Sequence, residues 1–149
     1  MIQLRTMKNL LLLCFAVSFS LSAHAQTGAP VVTNKKLKVV FQLTTGDTLA
    51  HKALVKQLNN FLTAAPNAKL EVVCHNNGIT FLQTDATKQA DGIRALKAKG
   101  VDFVACENTL RERKIKREEL MSECRTVPAG VVEVVLRQDA GWAYIKAGL

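Results

Sequence analysis

The chain has 149 residues, 48% hydrophobic and 5% aromatic, with 20 Lys and Arg against 12 Asp and Glu, for a formal net charge of +8. The basic residues are spread out, with Lys35, Lys36 and Lys38 in one place and Arg111 to Arg117 in another. With few aromatics to stack bases, this argues against a nucleic-acid partner and for a basic face that attracts small anions.

In chain order, Arg5 and Lys8 form a positive n-region, and "NLLLLCFAVSFSLS" is an apolar h-region too short for a bilayer span of roughly 20 residues. Ala23, His24 and Ala25 supply the small-x-small pattern of a cleavage site. Residues 1–25 therefore read as a secretory signal, which predicts export, to the periplasm in a Gram-negative host, with no stable membrane insertion after cleavage. Cleavage leaves 124 residues with a net charge of +6, enough for one domain. Residues 26–36 are polar with Gly and Pro and read as a flexible leader. The domain is expected over 37–149.

"LKVVFQLTT" is a short β-branched run ending in "TGD", a buried strand. A helix follows, with Asp47 or Thr48 as N-cap, apolar residues at Leu49, Ala53, Leu54, Leu58, Phe61 and Leu62, and a stop before Pro66. "KLEVVCH" is a second strand and "NNG" a turn. Residues 79–100 are expected to be helical up to Gly100, and "VDFVAC" is a third strand. Residues 107–124 have a helical pattern with a break expected near Ile115 or Lys116. "RTVP" is a fourth strand, 129–141 a helix ended by Gly141, and "WAYIKAG" a last strand. Strands alternating with helices predict βαβ units, and so a three-layer α/β/α sandwich around a mostly parallel five-stranded sheet.

In such a sheet ligands collect at the C-terminal strand ends. Three loops there carry chemistry: Thr45, Gly46 and His51 after the first strand; Cys74, His75, Asn76 and Gly78 after the second; Cys106, Glu107, Asn108 and Thr109 after the third. Cys106 closes its strand just before a helix, so its thiol is expected beside free N–H groups and a helix dipole that favour thiolate. Arg111 and Arg113 would add to this, and Glu107 would oppose it. His75 or His51 would serve as base or proton shuttle.

Position alone leaves Cys106 open between a reactive thiol and a buried small residue. Three cysteines remain after the signal, so at least one is unpaired within the chain, and a Cys74–Cys106 disulfide is a further possibility. Cys74, His75, Cys106 and Cys124 lack the tight spacing of a metal site, so no metal or other cofactor is expected. Cys124, at the far end of the fourth strand, reads as a packing or surface thiol.

"FVACENTLRERKI" followed by "VPAGVVEVVLRQDAGWAYIKAG" resembles the DsrE/DsrF-like family of sulfur-relay proteins, and "KVVFQLTTGD" and "LEVVCHNNGI" fit its first half. The resemblance spans about residues 37–147. It implies an α/β/α fold, homotrimers or homohexamers, and a cysteine that carries sulfur as a persulfide, which transfers to Cys106. His75 and Gly78 match the second-strand loop. Expected partners are a sulfur donor and an acceptor, either thiol proteins or small sulfur compounds. A non-catalytic oligomeric module for a small anion or metal, or a thiol redox protein using Cys74 and Cys106, are the alternatives.

Overall fold

The computed structural model describes residues 33–148, so the signal segment and the first part of the leader lie outside the described residues. Residues 33–36 are tied to the domain: the Thr33 amide donates to the Ala64 carbonyl at 2.8 Å, and the Asn67 side chain to the Asn34 carbonyl at 3.2 Å.

The strands are β1 (Lys38–Leu43), β2 (Lys69–Cys74), β3 (Asp102–Cys106), β4 (Cys124–Val127) and β5 (Ala143–Ala147). The helices are α1 (Thr48–Ala64), α2 (Ala90–Ala98), α3 (Glu107–Arg113) and α4 (Gly130–Asp139). All strand neighbours are parallel, in the order β4-β3-β2-β1-β5. The first three crossovers step one way across the sheet, and the fourth returns from β4 to the opposite edge. Because crossovers share one hand, the first three lay their helices on one face and the fourth lays α4 on the other.

The two faces bury different cores. Phe41, Leu54, Leu58, Phe81, Ile93 and Phe103 belong to the larger one, under α1 and α2. Each buried aromatic there contributes about 1.5–3 kcal/mol. The α4 face buries Val40, Val73, Val104, Val127 and Val134, with Trp142 packed against them. These strand valines sit at period two, opposite in facing to Phe41, Val72 and Phe103.

Charges also join α4 to this face. Glu71 is 1% exposed. Arg137 Nε lies 2.7 Å from Glu71 Oε2, close as charges although not aligned as a hydrogen bond. Arg125 reaches Glu71 at 3.2 Å, Asp102 at 2.7 Å and Glu133 at 2.8 Å. Burial still wins over the two guanidinium groups at Glu71 and pushes its pKa up to about 7.

Two predicted helices are shorter than their sequence patterns. Residues 79–100 divide into a 3-10 turn, Asn76–Phe81, and α2 from Ala90. Between them the backbone bonds elsewhere: Thr84 N donates to Glu119 O and Met121 N to Leu82 O. The Thr87 hydroxyl accepts from Gln89 N, the local competition that makes Thr a poor helix interior residue. The segment 107–124 breaks at Lys114, which is left-handed at φ 56°, and resumes only as a 3-10 turn, Arg117–Glu119.

A donor-lined thiol as candidate active site

The change of face between the third and fourth crossovers creates a crevice. The chain leaves β3 towards one face, as α3, and leaves β4 towards the other, as α4. That divergence is the switch point where open parallel sheets bind ligands. Cys106, the last residue of β3 and paired with Val127, stands in it. Asn108 N donates to the Pro128 carbonyl at 3.3 Å, joining the two outgoing loops.

Cys106 is 5% exposed. Its Sγ accepts from Gly130 N at 3.2 Å, and the Thr109 amide, the Thr109 hydroxyl and the Asn108 amide, this last shared with the Pro128 carbonyl, are further donors that favour its charged form. Burial pushes the thiol up, but these four hydrogen bonds outweigh it and hold the Cys106 pKa below the ordinary thiol value. Thr109 is buried and has its hydroxyl aimed by a second contact: Asn76 N donates to Oγ1 at 3.1 Å, which leaves the hydroxyl proton for the sulfur.

The free N–H groups expected at the start of the next helix, those of Asn108 and Thr109, are among these donors. The arginines are held beside the site by asparagines: Arg111 donates to Asn108 Oδ1 and Arg113 to Asn77 Oδ1. Glu107 lines a groove of about 460 Å³ with Leu110, Arg111, Lys114, Ile115, Arg117 and Thr126.

Gly130 is the functional position that sequence reasoning missed. A Cβ there would stand 3.1 Å from Cys106 Cβ, 3.2 Å from Val73 Cγ1 and 3.5 Å from His75 Cβ. A residue without a side chain lets the first amide of α4 come this close to the sulfur with no such crowding. The signal was the Pro-Ala-Gly run before the helix.

His75 is on the same face, two residues beyond Val73, and is buried. Its Nε2 lies 2.8 Å from Gln42 Nε2. Burial holds its pKa below the ordinary imidazole value, against a weaker effect of a hydrogen bond with the Asn76 side chain. Asn76 takes a left-handed φ of 51° to turn the chain. Gly78 is a packing requirement: a Cβ there would sit 2.2 Å from the Leu43 carbonyl oxygen.

The other candidates stand apart from the thiol. His51 is buried under the opposite face, its Nε2 2.8 Å from the Thr45 carbonyl and its ring edge-on to Phe81 at 5.1 Å. It holds the β1–α1 loop, in which Thr45 Oγ1 accepts from Asp47 N and Gly46 lies against Asn77. Cys74 pairs with Ala105, so it shares Ala105's face and lies across the sheet from Cys106. The pleat thus rules out the Cys74–Cys106 disulfide, and Cys74, Cys106 and Cys124 are all free. Burial pushes the pKa values of Cys74 and Cys124 up. Among the described residues no group of three or more His, Cys, Asp or Glu could hold a metal ion, and no helix is long and apolar enough to cross a membrane.

No curated protein matches this chain. A solved structure of a protein of unknown function from Methanobacterium thermoautotrophicum, MTH1491, is similar at 31% identity, covering 74% of this chain and 99% of its own, with a TM-score of 0.72. Residues 16–147 match the DsrE/DsrF-like family. With that match over nearly the whole chain, and a fold and thiol-bearing crevice to go with it, the chain belongs to the DsrE/DsrF-like family.

Proposed function

We propose that this protein is a sulfur carrier in which Cys106 is the nucleophile. Family membership supports a sulfur-relay role in general. The observation that supports Cys106 in particular is the convergence of four donors on its Sγ. Hydrogen bonds to the charged form raise the thiolate share above that of an ordinary thiol, and thiolate is the attacking species. With thiosulfate as donor, the Cys106 thiolate attacks the outer sulfur, the sulfur–sulfur bond of thiosulfate breaks, and sulfite leaves with its electron pair. Cys106 then holds a persulfide anion. An acceptor thiolate attacks the outer sulfur of the protonated persulfide, takes it as its own persulfide, and returns Cys106 as thiolate.

The signal-like N-terminus supports export, to the periplasm in a Gram-negative host, with donor and acceptor there. The exposed Val131, Val132, Val135 and Leu136 of α4 support a homo-oligomer, a trimer or hexamer. Incubation with thiosulfate or polysulfide without reductant is expected to add about 32 Da to Cys106 by mass spectrometry. No such adduct would count against the carrier reading. The groove with Arg111, Lys114 and Arg117 favours a second reading, a non-catalytic module that holds a small anion. Full function of Cys106→Ser in the host would decide for it.

A further inference from the structure

We propose that His75 serves as a neutral hydrogen-bond donor to the sulfur carried on Cys106, not as its base, and that Gln42 and Tyr144 are the positioning residues that hold it so. The role towards sulfur rests on the carrier reading above; the state of the ring does not.

Three polar side chains climb the α4 face of the sheet in a diagonal. Tyr144 of β5 is level with Val40, Gln42 of β1 is level with Val73, and His75 lies two residues beyond Val73. The Tyr144 hydroxyl donates to Gln42 Oε1. With the amide oxygen on Tyr144, its NH2 end meets His75 Nε2 at 2.8 Å. An amide NH2 can only donate, so in this arrangement Nε2 keeps its lone pair and the proton of the neutral ring is on Nδ1. A ring whose one basic nitrogen is occupied has no lone pair to take a proton, and its one hydrogen rests on the exposed Asn76 side chain until a loaded sulfur competes for it.

The thiol's own surroundings argue the same way. Cys106 already has four donors that favour its thiolate, so it has little need of a base. The outer sulfur of a persulfide, however, would lie beyond those donors and needs one of its own. His75 is placed for this: its Cβ and the Cys106 Cβ both lie within 3.5 Å of the point where a Gly130 methyl would stand. No charged side chain acts on the ring; its hydrogen-bond partners are Gln42 and Asn76.

The test uses the full chain labelled with ¹⁵N-histidine. Long-range ¹H–¹⁵N correlation spectra should show His75 as the neutral Nδ1–H tautomer at pH 7. Gln42→Glu presents only acceptors, so it should move the proton to Nε2 and bring an imidazolium signal into the neutral range. Tyr144→Phe, at a partly exposed edge position, should give a mixture of tautomers. In a second arm, Cys106 is treated with limiting polysulfide and the persulfide-bearing fraction is read by mass spectrometry. His75→Ala should weaken loading about tenfold, the loss of one hydrogen bond to the charged outer sulfur, and His75→Gln, which restores an N–H that does not titrate, should recover part of it. An Nε2–H tautomer or an imidazolium in the wild type at pH 7, or His75→Gln loading as weakly as His75→Ala, would overturn the proposal. Failure of every variant to load sulfur would sink the carrier reading, while the tautomer spectra would still decide the positioning by Gln42 and Tyr144.

Discussion

Thr109→Val tests whether hydrogen bonds make Cys106 reactive. Valine has nearly the shape of threonine, so the buried site stays filled while the donor to Sγ is lost. A hydrogen bond to a charged group is worth about 1.5–3 kcal/mol, which lowers the thiolate population at neutral pH roughly tenfold or more. A more basic thiolate is also a better nucleophile, with a Brønsted slope near 0.5, so about half of that loss on a logarithmic scale returns as reactivity. The expected outcome is alkylation by iodoacetamide about three- to tenfold slower at pH 7, with the inflection of its pH profile moved up. The Asn76 amide loses its acceptor as well. Because Asn76 is exposed, water can replace that bond, and the stability loss should stay near 1 kcal/mol. Thr109→Ser keeps the hydroxyl and should stay much closer to wild type. Equal alkylation profiles for Thr109→Val and wild type, or equal damage from Ser and Val, would refute the reasoning.

Gly130→Ala should slow Cys106 alkylation in the same direction, because a Cβ 3.1 Å from Cys106 Cβ forces the α4 amide back from the sulfur; a rate at or above wild type would show that this amide contributes nothing. Native protein treated briefly with iodoacetamide should carry the label on Cys106 and leave Cys74 untouched, since Cys74 is 0% exposed and its thiol is held in the neutral form; peptide mapping that finds Cys74 labelled first would contradict the assignment. Glu71 gives a pH dependence of stability. Its pKa rises from 4.5 to about 7 on folding, so between those values the unfolded chain releases a proton that the folded chain keeps, and stability falls as pH rises. Burial also opposes ionisation of Glu133, but Arg125 and Arg137 outweigh it and hold its pKa down, so its contribution lies at lower pH. Urea titrations of Glu71→Gln should show this downward slope between about pH 4.5 and 7 flattened; an unchanged slope would assign it to another group.

The alternation of strands and helices was legible because its signals are local. β-branched runs, Asp47 as cap and the stop before Pro66 each act within a few residues, and they placed all five strands and α1 closely. Residues 82–89 were misread because apolar spacing continued through them while backbone groups of Leu82 and Thr84 were taken by Met121 and Glu119, more than 30 residues away. No local pattern carries that pairing. The position of Cys106 was legible for the same reason as the strands, from the apolar run that ends on it. The meaning of Gly130 was not, since its role comes from a contact across 24 residues and from the return of α4 to the other face. The placement of Arg111 and Arg113 was not legible for a related reason: both guanidinium groups are held by asparagines, an arrangement that spacing along one helix does not show.

Cys74 and Cys106 together separate two causes that sequence position had left joined. Both lie at the C-terminal end of a central strand, both are buried, and both are free. Burial raises each thiol, so burial cannot be what distinguishes them. The difference is the face. Cys74 points into the larger core among hydrocarbon side chains, where nothing donates to the sulfur strongly enough to offset desolvation. Cys106, one register step further on and turned the other way by the pleat, meets the amides of two helices that part at the sheet's switch point, and a threonine hydroxyl aimed by Asn76. A shift of one residue along β3 would turn Cys106 into the larger core beside Cys74. The reactivity assigned to Cys106 is therefore a consequence of strand register and crossover direction, and it should follow the donor set: whatever moves Asn108, Thr109 or Gly130 from the sulfur should leave a buried thiol that behaves like Cys74.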